Sequence, residues 1–529
     1  MRLRRKPGGK RVTVSRDIAE DKRTQFRYEG AMKYAPLVLC EGFFVAIVLL
    51  FAFGPYDWHL SNGPKLFLFL GSAALALLAG YLFAARRAGG VTGESPSAGL
   101  QARSVDVQTA LASEPGPRST SRLRRILGKE DSQRNFDASM VVIVCSLVYL
   151  IIYLPTVMTT TGKVIPDLVT GLTNAGEAYR TSKYYNTHGS QTVLYIRMIL
   201  GPFLIPVYPI TVFFYTKLTR TARILGLSTI ACTLVLGIAQ GTNKAVADFT
   251  GYAVMFLVLL YISTPRGKAS RKSRLAIVAA AVLIVGLFYG SYNNTMHSRI
   301  AMDEKLAGSA SPPPASGVNV PPPSEASIDE GIVSAADFGF ATVRTSNLIY
   351  RLMPENVRST GMFLVSYTTH GYKGLSLAMD HPFTPSYGLG FSPFVRHNVL
   401  RILGESQNEQ AVYANTYAGK TEADGWSTGL VWSTFFVNPA SDITFPGTIV
   451  LMFVIGYLWS LAWRDALERD DVLAIVVFFY LSILVVYLSA NNQIFEGGET
   501  TIGFTVVFST WLVRRRSLRP NSPRRLGVS

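Results

Sequence analysis

The sequence predicts an all-α polytopic membrane protein with about ten transmembrane helices and one large extracytoplasmic loop that contains helical segments. Of the 529 residues, 49% are hydrophobic and only 16% are charged, which is too apolar for a soluble protein with an ordinary surface. Apolar runs of roughly 20 residues recur along the chain, and each is long enough to cross about 30 Å of hydrocarbon.

Ten spans are predicted from these runs. They lie near residues 34–54, 65–85, 138–160, 192–215, 224–240, 247–263, 275–292, 444–462, 472–490 and 500–513.

The basic residues fit the rule that cytoplasmic segments are enriched in Lys and Arg. With both termini cytoplasmic, the segments predicted to lie inside carry 36 of the 51 Lys and Arg residues, and the large outer loop carries nine. The net charge of +17 is therefore mostly an orientation signal with a weak attraction to anionic lipid, and a nucleic-acid partner is excluded.

Two long segments interrupt the apolar pattern. The segment 86–137 is rich in Gly, Ser, Pro and Arg, which predicts disorder. The segment 293–443 begins with a Pro-rich stretch and then becomes aromatic, which predicts an ordered part. The predicted organisation is a basic cytoplasmic tail (1–33), a transmembrane hairpin (34–85), a disordered cytoplasmic loop (86–137), spans three to seven (138–292), the large outer loop (293–443, with a disordered Pro-rich part at 303–332), spans eight to ten (444–513) and a cytoplasmic tail (514–529).

Two cations stand out within or beside the apolar runs. Lys244 falls at the tight turn after span five, one helical turn from Asp248, so the two can form an ion pair. That pair is either structural or holds a cation at the mouth of an outward-facing site. Arg197 lies inside span four, where a charged residue needs a partner or a water-filled cavity and is a functional candidate.

The outer loop contains further candidates. "FATVRTSNLIYRLMPENV" predicts a helix that ends at Pro354, with Arg344, Asn347 and Arg351 on one face. Such a face is either simply solvated or a clamp for phosphate oxygens, because the guanidinium group binds them through two hydrogen bonds.

The next stretch, "LVSYTTHGYKGLSLAMDHPF", carries His370 and Lys373. It predicts either an amphipathic helix on the membrane surface or a re-entrant piece packed among the spans. Single histidines are usually structural, but the basic and aromatic surroundings of His370 favour a functional role. No metal-ligand spacing occurs in the sequence, so we expect no metal site and no cofactor.

The end of the outer loop, "GWSTGLVWSTFF", contains Trp426 and Trp432, which suit either a sugar-binding lip or an aromatic belt at the membrane surface. Asp442 follows in "SDITFPG", and Asn491 and Asn492 leave span nine at the same level. The basic residues predicted on the outer side of the membrane are suited to binding a lipid-linked phosphate or diphosphate.

These stretches resemble the oligosaccharide repeat-unit polymerases, the Wzy-type O-antigen and exopolysaccharide polymerases of the bacterial cytoplasmic (inner) membrane. The resemblance covers most of the spans and is carried by "FGPYDWHLSNGPKLFLFLGSAALALLAGY", "RTSNLIYRLMPENV", "THGYKGLSLAM", "YGLGFSPF", "GWSTGLVWSTFF", "SDITFPG" and "SANNQIF".

The resemblance implies a metal-independent glycosyltransferase that joins polyprenyl-diphosphate-linked oligosaccharides, beside membrane lipid, with a chain-length regulator protein as a further partner. A sugar hydroxyl attacks the anomeric carbon of the growing chain, and the lipid diphosphate leaves. The expected roles are general base for His370 or Asp442, diphosphate binding for Arg197, Lys244, Arg344, Arg351 and Lys373, and sugar binding for Trp426, Trp432, Asn491 and Asn492.

Two alternatives remain open from the sequence. An O-antigen ligase-like transferase shares the architecture and the lipid donor but passes the chain to another acceptor. A transporter or flippase of lipid-linked sugars belongs to a different class, although such proteins commonly show internal repeats, which are not evident here.

Overall fold

The computed structural model describes residues 11–87, 119–264, 271–307, 340–426 and 431–517, and in this part of the chain it is almost entirely helical. Its helices are α1 (Arg11–Phe53), α2 (Gly63–Arg87), α3 (Ser119–Thr161), α4 (Leu168–Thr173), α5 (Ala175–His188), α6 (Gln191–Leu204), α7 (Val207–Phe213), α8 (Arg220–Ala239), α9 (Lys244–Ser263), α10 (Arg271–Ala307), α11 (Leu348–Leu352), α12 (Glu355–Asp380), α13 (Pro393–Ile402), α14 (Glu409–Asn415), α15 (Tyr417–Ala423), α16 (Val437–Arg469), α17 (Val472–Val486) and α18 (Gly498–Ser517).

Eight helical segments of the described chain are long and apolar enough to cross a membrane. They confirm an all-α, multi-pass membrane protein and correspond to the first eight predicted spans. The fourth comprises α6 and α7, which meet at Pro206. The predicted ninth span is the shorter apolar helix α17, and the predicted tenth lies within α18, which is not among the eight.

Glycines allow two close helix crossings. A Cβ added to Gly80 of α2 would lie 2.0 Å from the carbonyl oxygen of Phe453 in α16, and one added to Gly456 would lie 2.2 Å from that of Leu77. Gly201 of α6 contacts the backbone of α18 in the same way. Small residues at such crossings let backbones approach, which helps helix pairs associate in lipid.

A short antiparallel ribbon joins distant parts of the chain at one end of the bundle. Strand β1 (Tyr56–Asp57), in the loop between α1 and α2, pairs with β2 (Thr342–Val343). We call this end, which carries residues 340–426 and 431–436, the loop end. Residues 369–376 of its helix α12 are all buried, whereas the two ends of the helix, Glu355 and Asp380, are exposed. This agrees with a piece packed among other elements and not with a helix lying on a surface.

The predicted helix over "FATVRTSNLIYRLMPENV" is mostly wrong. Residues 342–343 form β2, and only Leu348–Leu352 are helical. Asn347 caps that short helix by accepting a hydrogen bond from the Ile349 amide, and its Nδ2 donates to the carbonyls of Phe53 and Gly54. Strand pairing and this cap replace the helix, so Arg344 and Arg351 do not share a helical face.

Helix boundaries differ from the prediction elsewhere. The backbone is helical over residues 11–33 and 119–137, parts of the predicted basic tail and disordered loop, while residues 88–118 lie outside the described chain. Of the predicted Pro-rich part at 303–332, only 303–307 are described, as the end of α10. Helix α16 begins seven residues before the predicted span and is broken at Thr444, whose φ of 65° and ψ of 167° are strained for a residue with a side chain.

A buried ion pair connects α16 and α18 at the end of the bundle opposite the loop end. The Asp465 carboxylate is 1% exposed and accepts hydrogen bonds from Arg515 Nε at 2.7 Å and Trp511 Nε1 at 3.2 Å. Removing one member of such a pair leaves the other charge buried and uncompensated.

We therefore expect Asp465→Asn to lower the unfolding free energy by about 3–5 kcal/mol, the range for breaking a buried ion pair. The measurement is thermal unfolding of the purified protein in detergent. Glu468→Gln is the matched control, because Glu468 is 60% exposed and lies 3.9 Å from its partner Arg464. Equal melting temperatures for both variants would contradict a stabilising role for the pair.

Candidate functional site

The centre of the loop end is α12, and the loop between α1 and α2 holds it in place. Asn62 Nδ2 donates to the Ser376 carbonyl at 2.8 Å, and Lys65 Nζ donates to that of Met379. Ser61 donates to the Asp380 carboxylate at 2.7 Å. The first hairpin therefore fixes both the position and the rotation of α12.

His370, the predicted base, is 4% exposed on α12. Its Nδ1 lies 3.0 Å from the Ser366 carbonyl. Because a carbonyl can only accept, Nδ1 carries the proton of the neutral ring, and Nε2 is left with a lone pair. Nε2 is buried and has no hydrogen-bond partner in the described structure. Burial lowers the pKa of His370 to about 4, so the ring is neutral at physiological pH.

Two predicted sugar-binding residues surround this imidazole. Its ring centroid lies 4.6 Å from that of Trp432 and 6.2 Å from that of Trp426. A Cβ added to Gly374 would lie 2.7 Å from both Ser433 Oγ and Trp426 Nε1, so these atoms face the same small space. We call the group formed by His370, Trp426, Trp432, Ser433 and Thr434 the indole cluster.

Unsatisfied polar atoms are concentrated in the indole cluster. All five of its side chains have a buried polar atom without a hydrogen-bond partner among the described residues: His370 Nε2, Trp426 Nε1, Trp432 Nε1, Ser433 Oγ and Thr434 Oγ1. A buried unpaired polar group costs about 1–3 kcal/mol, and native structures contain few. Several side by side indicate a place for a polar ligand or ordered water.

The chemistry of the cluster suits a saccharide. The two indole N–H groups can only donate and the imidazole Nε2 can only accept, whereas the two hydroxyls can do both. Sugar hydroxyls match this mixture, and the apolar faces of sugar rings pack on aromatic rings. The combination of aromatic side chains with a few convergent polar groups is typical of small-molecule sites.

Lys373 provides a cation one turn from His370. The residue is 6% exposed, and its Nζ donates to the His59 carbonyl at 2.9 Å. No carboxylate of the described chain forms an ion pair with it, and burial lowers the pKa of the ammonium group. The Asp380 carboxylate opposes this shift from a distance but forms no direct ion pair with Lys373. A buried ammonium without a direct ion pair would bind an incoming anion with less competition than a cation in a salt bridge.

The other predicted diphosphate ligands do not gather around one point. Arg344 pairs with Asp57 at 2.9 Å and lowers the pKa of that carboxyl. Arg351 is exposed on α11, and no ion pair involving it occurs among the described residues. Arg197 and Lys244 lie instead near the segment from 487 to 499.

Both members of this second group are ion-paired. Arg197 contacts Glu499 at 2.6 Å across the crossing of α6 and α18. Lys244 pairs with Asp248 at 2.8 Å, as the i,i+4 spacing predicts, and the Tyr487 hydroxyl donates to the same carboxylate. The contacts of Lys244 agree with the structural interpretation of this pair.

Asp442, the alternative base, is occupied by a loop. One of its oxygens accepts from Ser386 Oγ and from the amides of Gly388 and Gly390, and the other accepts from the Phe391 amide at 2.7 Å. Four hydrogen-bond donors converge on this one carboxylate, which gives Asp442 the role of an anchor for the loop 386–391. Of the two predicted bases, only His370 has a free basic atom.

The two asparagines mainly organise the loop after α17. Asn492 Oδ1 accepts from the amides of Ile494 and Phe495, whereas its Nδ2 is buried and unpaired. Asn491 donates to Glu496 and accepts from Gln493. Asn492 thus keeps one free donor for a ligand, and Asn491 keeps its partners within the loop.

Sequence reasoning missed the partners that complete these arrangements. Asp57 and Glu499 are separated from their arginines by about 290 and 300 positions, so no local pattern reveals the pairs. Ser433 and Thr434 were overlooked beside Trp432. The glycines at 371 and 374 were a usable signal, because two glycines three apart in a helix indicate that something packs closely against that face.

In the described chain, no group of three or more His, Cys, Asp or Glu residues comes together in a way that could hold a metal ion. Comparisons with known proteins add no assignment: no family model, no curated protein and no solved structure matches this chain.

The burial of His370 makes stability depend on pH. Its pKa is about 4 in the folded protein and about 6.5 in an exposed chain, so between these values the unfolded state binds a proton that the folded state does not. We expect the unfolding free energy to fall by up to about 1.4 kcal/mol per unit as the pH drops from 6.5 to 4. Thermal unfolding across this range measures it.

His370→Gln should remove this part of the pH dependence. His381→Gln is the control, since His381 is a partly exposed histidine bonded to Asp424. If both variants keep the slope of the wild type, His370 is not the group that titrates.

Proposed function

We propose that this protein is a metal-independent membrane glycosyltransferase that joins polyprenyl-diphosphate-linked oligosaccharide repeat units into a surface polysaccharide. In this proposal the loop end faces outward from the bacterial cytoplasmic membrane, both termini are cytoplasmic, and α17 and α18 complete ten spans. The observation that carries the proposal is the indole cluster with Lys373 beside it. Together they offer unpaired hydrogen-bonding groups for sugar hydroxyls and an unpaired cation for a diphosphate.

In the proposed reaction, the hydroxyl of one repeat unit attacks the anomeric carbon of the growing chain. The new glycosidic C–O bond forms as the bond from that carbon to the diphosphate oxygen breaks, and the diphosphate leaves with the electron pair. Lys373 stabilises the negative charge that develops on the leaving oxygen. His370 Nε2 accepts the proton of the attacking hydroxyl.

The low pKa of His370 fits this role only with substrate present. An imidazole with a pKa of about 4 is a weak base. A diphosphate bound near Lys373 would place negative charge close to the ring and raise its pKa towards neutrality. The base would then become effective when the donor is bound.

The first test is mass spectrometry of lipid-linked glycans in cells that lack the gene, with membrane sidedness probed. We expect a single repeat unit to accumulate on the outer leaflet, because export continues while polymerisation stops. The same unit retained on the inner leaflet would indicate a flippase, and long untransferred polymer would indicate a ligase. An unchanged lipid-linked pool would contradict all three functions.

A second test uses Lys373→Met. We expect at least a tenfold loss of polymer, because the leaving diphosphate loses its cation, and partial recovery in Lys373→Arg. Gel analysis of the polysaccharide at matched protein levels measures it. Lys217→Met is the control, since Lys217 is an exposed lysine that pairs with Asp470, away from the loop end. Wild-type polymer in Lys373→Met would remove Lys373 from the proposed site.

A further inference from the structure

A cavity of about 270 Å³ lies where α4, the turn between α8 and α9, and α10 meet. Seven of its nine lining residues are Gly, Ser, Thr or Asn, and none is charged. Its polar side chains are those of Thr242, Ser291, Asn294 and Thr295.

The cavity presents both hydrogen-bond acceptors and donors. Thr242 Oγ1 donates to the Gly237 carbonyl, Asn294 Nδ2 to that of Leu172, and Thr295 Oγ1 to that of Ser291. The oxygens of these three side chains keep free lone pairs, while Asn294 keeps a second N–H and the Ser291 hydroxyl can still donate. A ligand that both donates and accepts therefore fits this cavity.

The uncharged lining and the small volume of the cavity limit the class of ligand further. A fully ionised phosphate offers only acceptors, and no cation lines the cavity to attract it. A cationic ligand would find no carboxylate there. The hydroxyls of a neutral polyol both donate and accept without charge. The volume lies just below the usual range of about 300–1,000 Å³ for small-molecule pockets, so it suits one sugar ring and not an oligosaccharide.

Helix α10 connects this cavity with the indole cluster. Ser291 lines the cavity, and the adjacent Tyr292 has its ring centroid 5.9 Å from that of Tyr367. Tyr367 in turn lies 4.3 Å from Trp432, edge to face. Helix α10 thus carries a cavity residue, Ser291, next to a residue, Tyr292, whose ring contacts lead through Tyr367 to the indole cluster.

We propose that this cavity binds a single neutral sugar residue of the lipid-linked saccharide, remote from the diphosphate. The identity of the saccharide rests on the proposed function, whereas the preference for a neutral, hydroxyl-bearing ligand rests on the cavity itself. Holding a distal sugar in place would orient the saccharide relative to His370 without taking part in the chemistry.

Gly290 offers a direct test. It lines the cavity, and a Cβ added there meets no atom within 4 Å. A leucine at this position therefore causes no clash at its Cβ, and the rest of its side chain extends into the cavity. Gly286 is a matched control, because it lies one turn earlier on α10, has the same free space and does not line the cavity. Thr295→Val is a second variant that removes one acceptor with little change in volume.

The measurement is saturation-transfer NMR on the purified full-length protein in detergent. The probe is the phosphate-free oligosaccharide released by mild acid from the host's lipid-linked glycans. We expect Gly290→Leu to weaken binding at least tenfold, Thr295→Val to weaken it several-fold, and Gly286→Leu to bind like the wild type. Unchanged binding in Gly290→Leu, no binding to the wild type, or a phospholipid that co-purifies with the wild type and is lost in Gly290→Leu would overturn the proposal.

This experiment is independent of polymer synthesis. If the oligosaccharide binds as expected but the gene deletion leaves the lipid-linked pool unchanged, the cavity remains a sugar site and the polymerase function fails. If single repeat units accumulate in the deletion but the cavity variant binds normally, the polymerase function stands and the cavity assignment fails.

Discussion

Close backbone contact between helices is the constraint on which this bundle depends. Lipid tails are as apolar as the side chains of the spans, so burial from water cannot hold the helices together, and packing must do so. At the contact of α2 with α16, and at that of α6 with α18, a side chain on Gly80, Gly456 or Gly201 would collide with the facing backbone. Arg197 and Glu499 meet beside the second crossing. The position of this ion pair therefore depends on the close packing of apolar helices.

In the candidate site, polar groups are buried without hydrogen-bond partners among the described residues. Residues 369–376 of α12 are buried, yet their surroundings leave several donors and acceptors unsatisfied. Each such group lowers the stability of the empty protein, and a ligand that pairs with them recovers that free energy on binding. The carboxylates that neutralise Arg197, Lys244 and Arg344 have a different effect, because they reduce the attraction of those cations for an anion. These two observations make Lys373 the strongest candidate among these cations for binding an anion.

The sequence was sufficient for the fold class and for local pairs, and insufficient for long-range partners. Apolar runs determine spans because lipid imposes their length, and the i,i+4 spacing of Lys244 and Asp248 determines their contact. The helix expected around Arg344 failed because pairing with β1, about 285 residues away, overrode local propensity. Trp426, Trp432 and His370 were each identified as candidates from their local sequence, but their proximity depends on the packing of α12 against residues that local patterns do not connect.

The ribbon of β1 and β2 also has a consequence for biogenesis. The loop between α1 and α2 is synthesised before most of the spans, whereas Thr342 and Val343 follow only after seven of them. Because spans insert individually before they associate, Tyr56 and Asp57 spend most of translation without their strand partner. The loop end can therefore close only late, after both β2 and α12 have been synthesised.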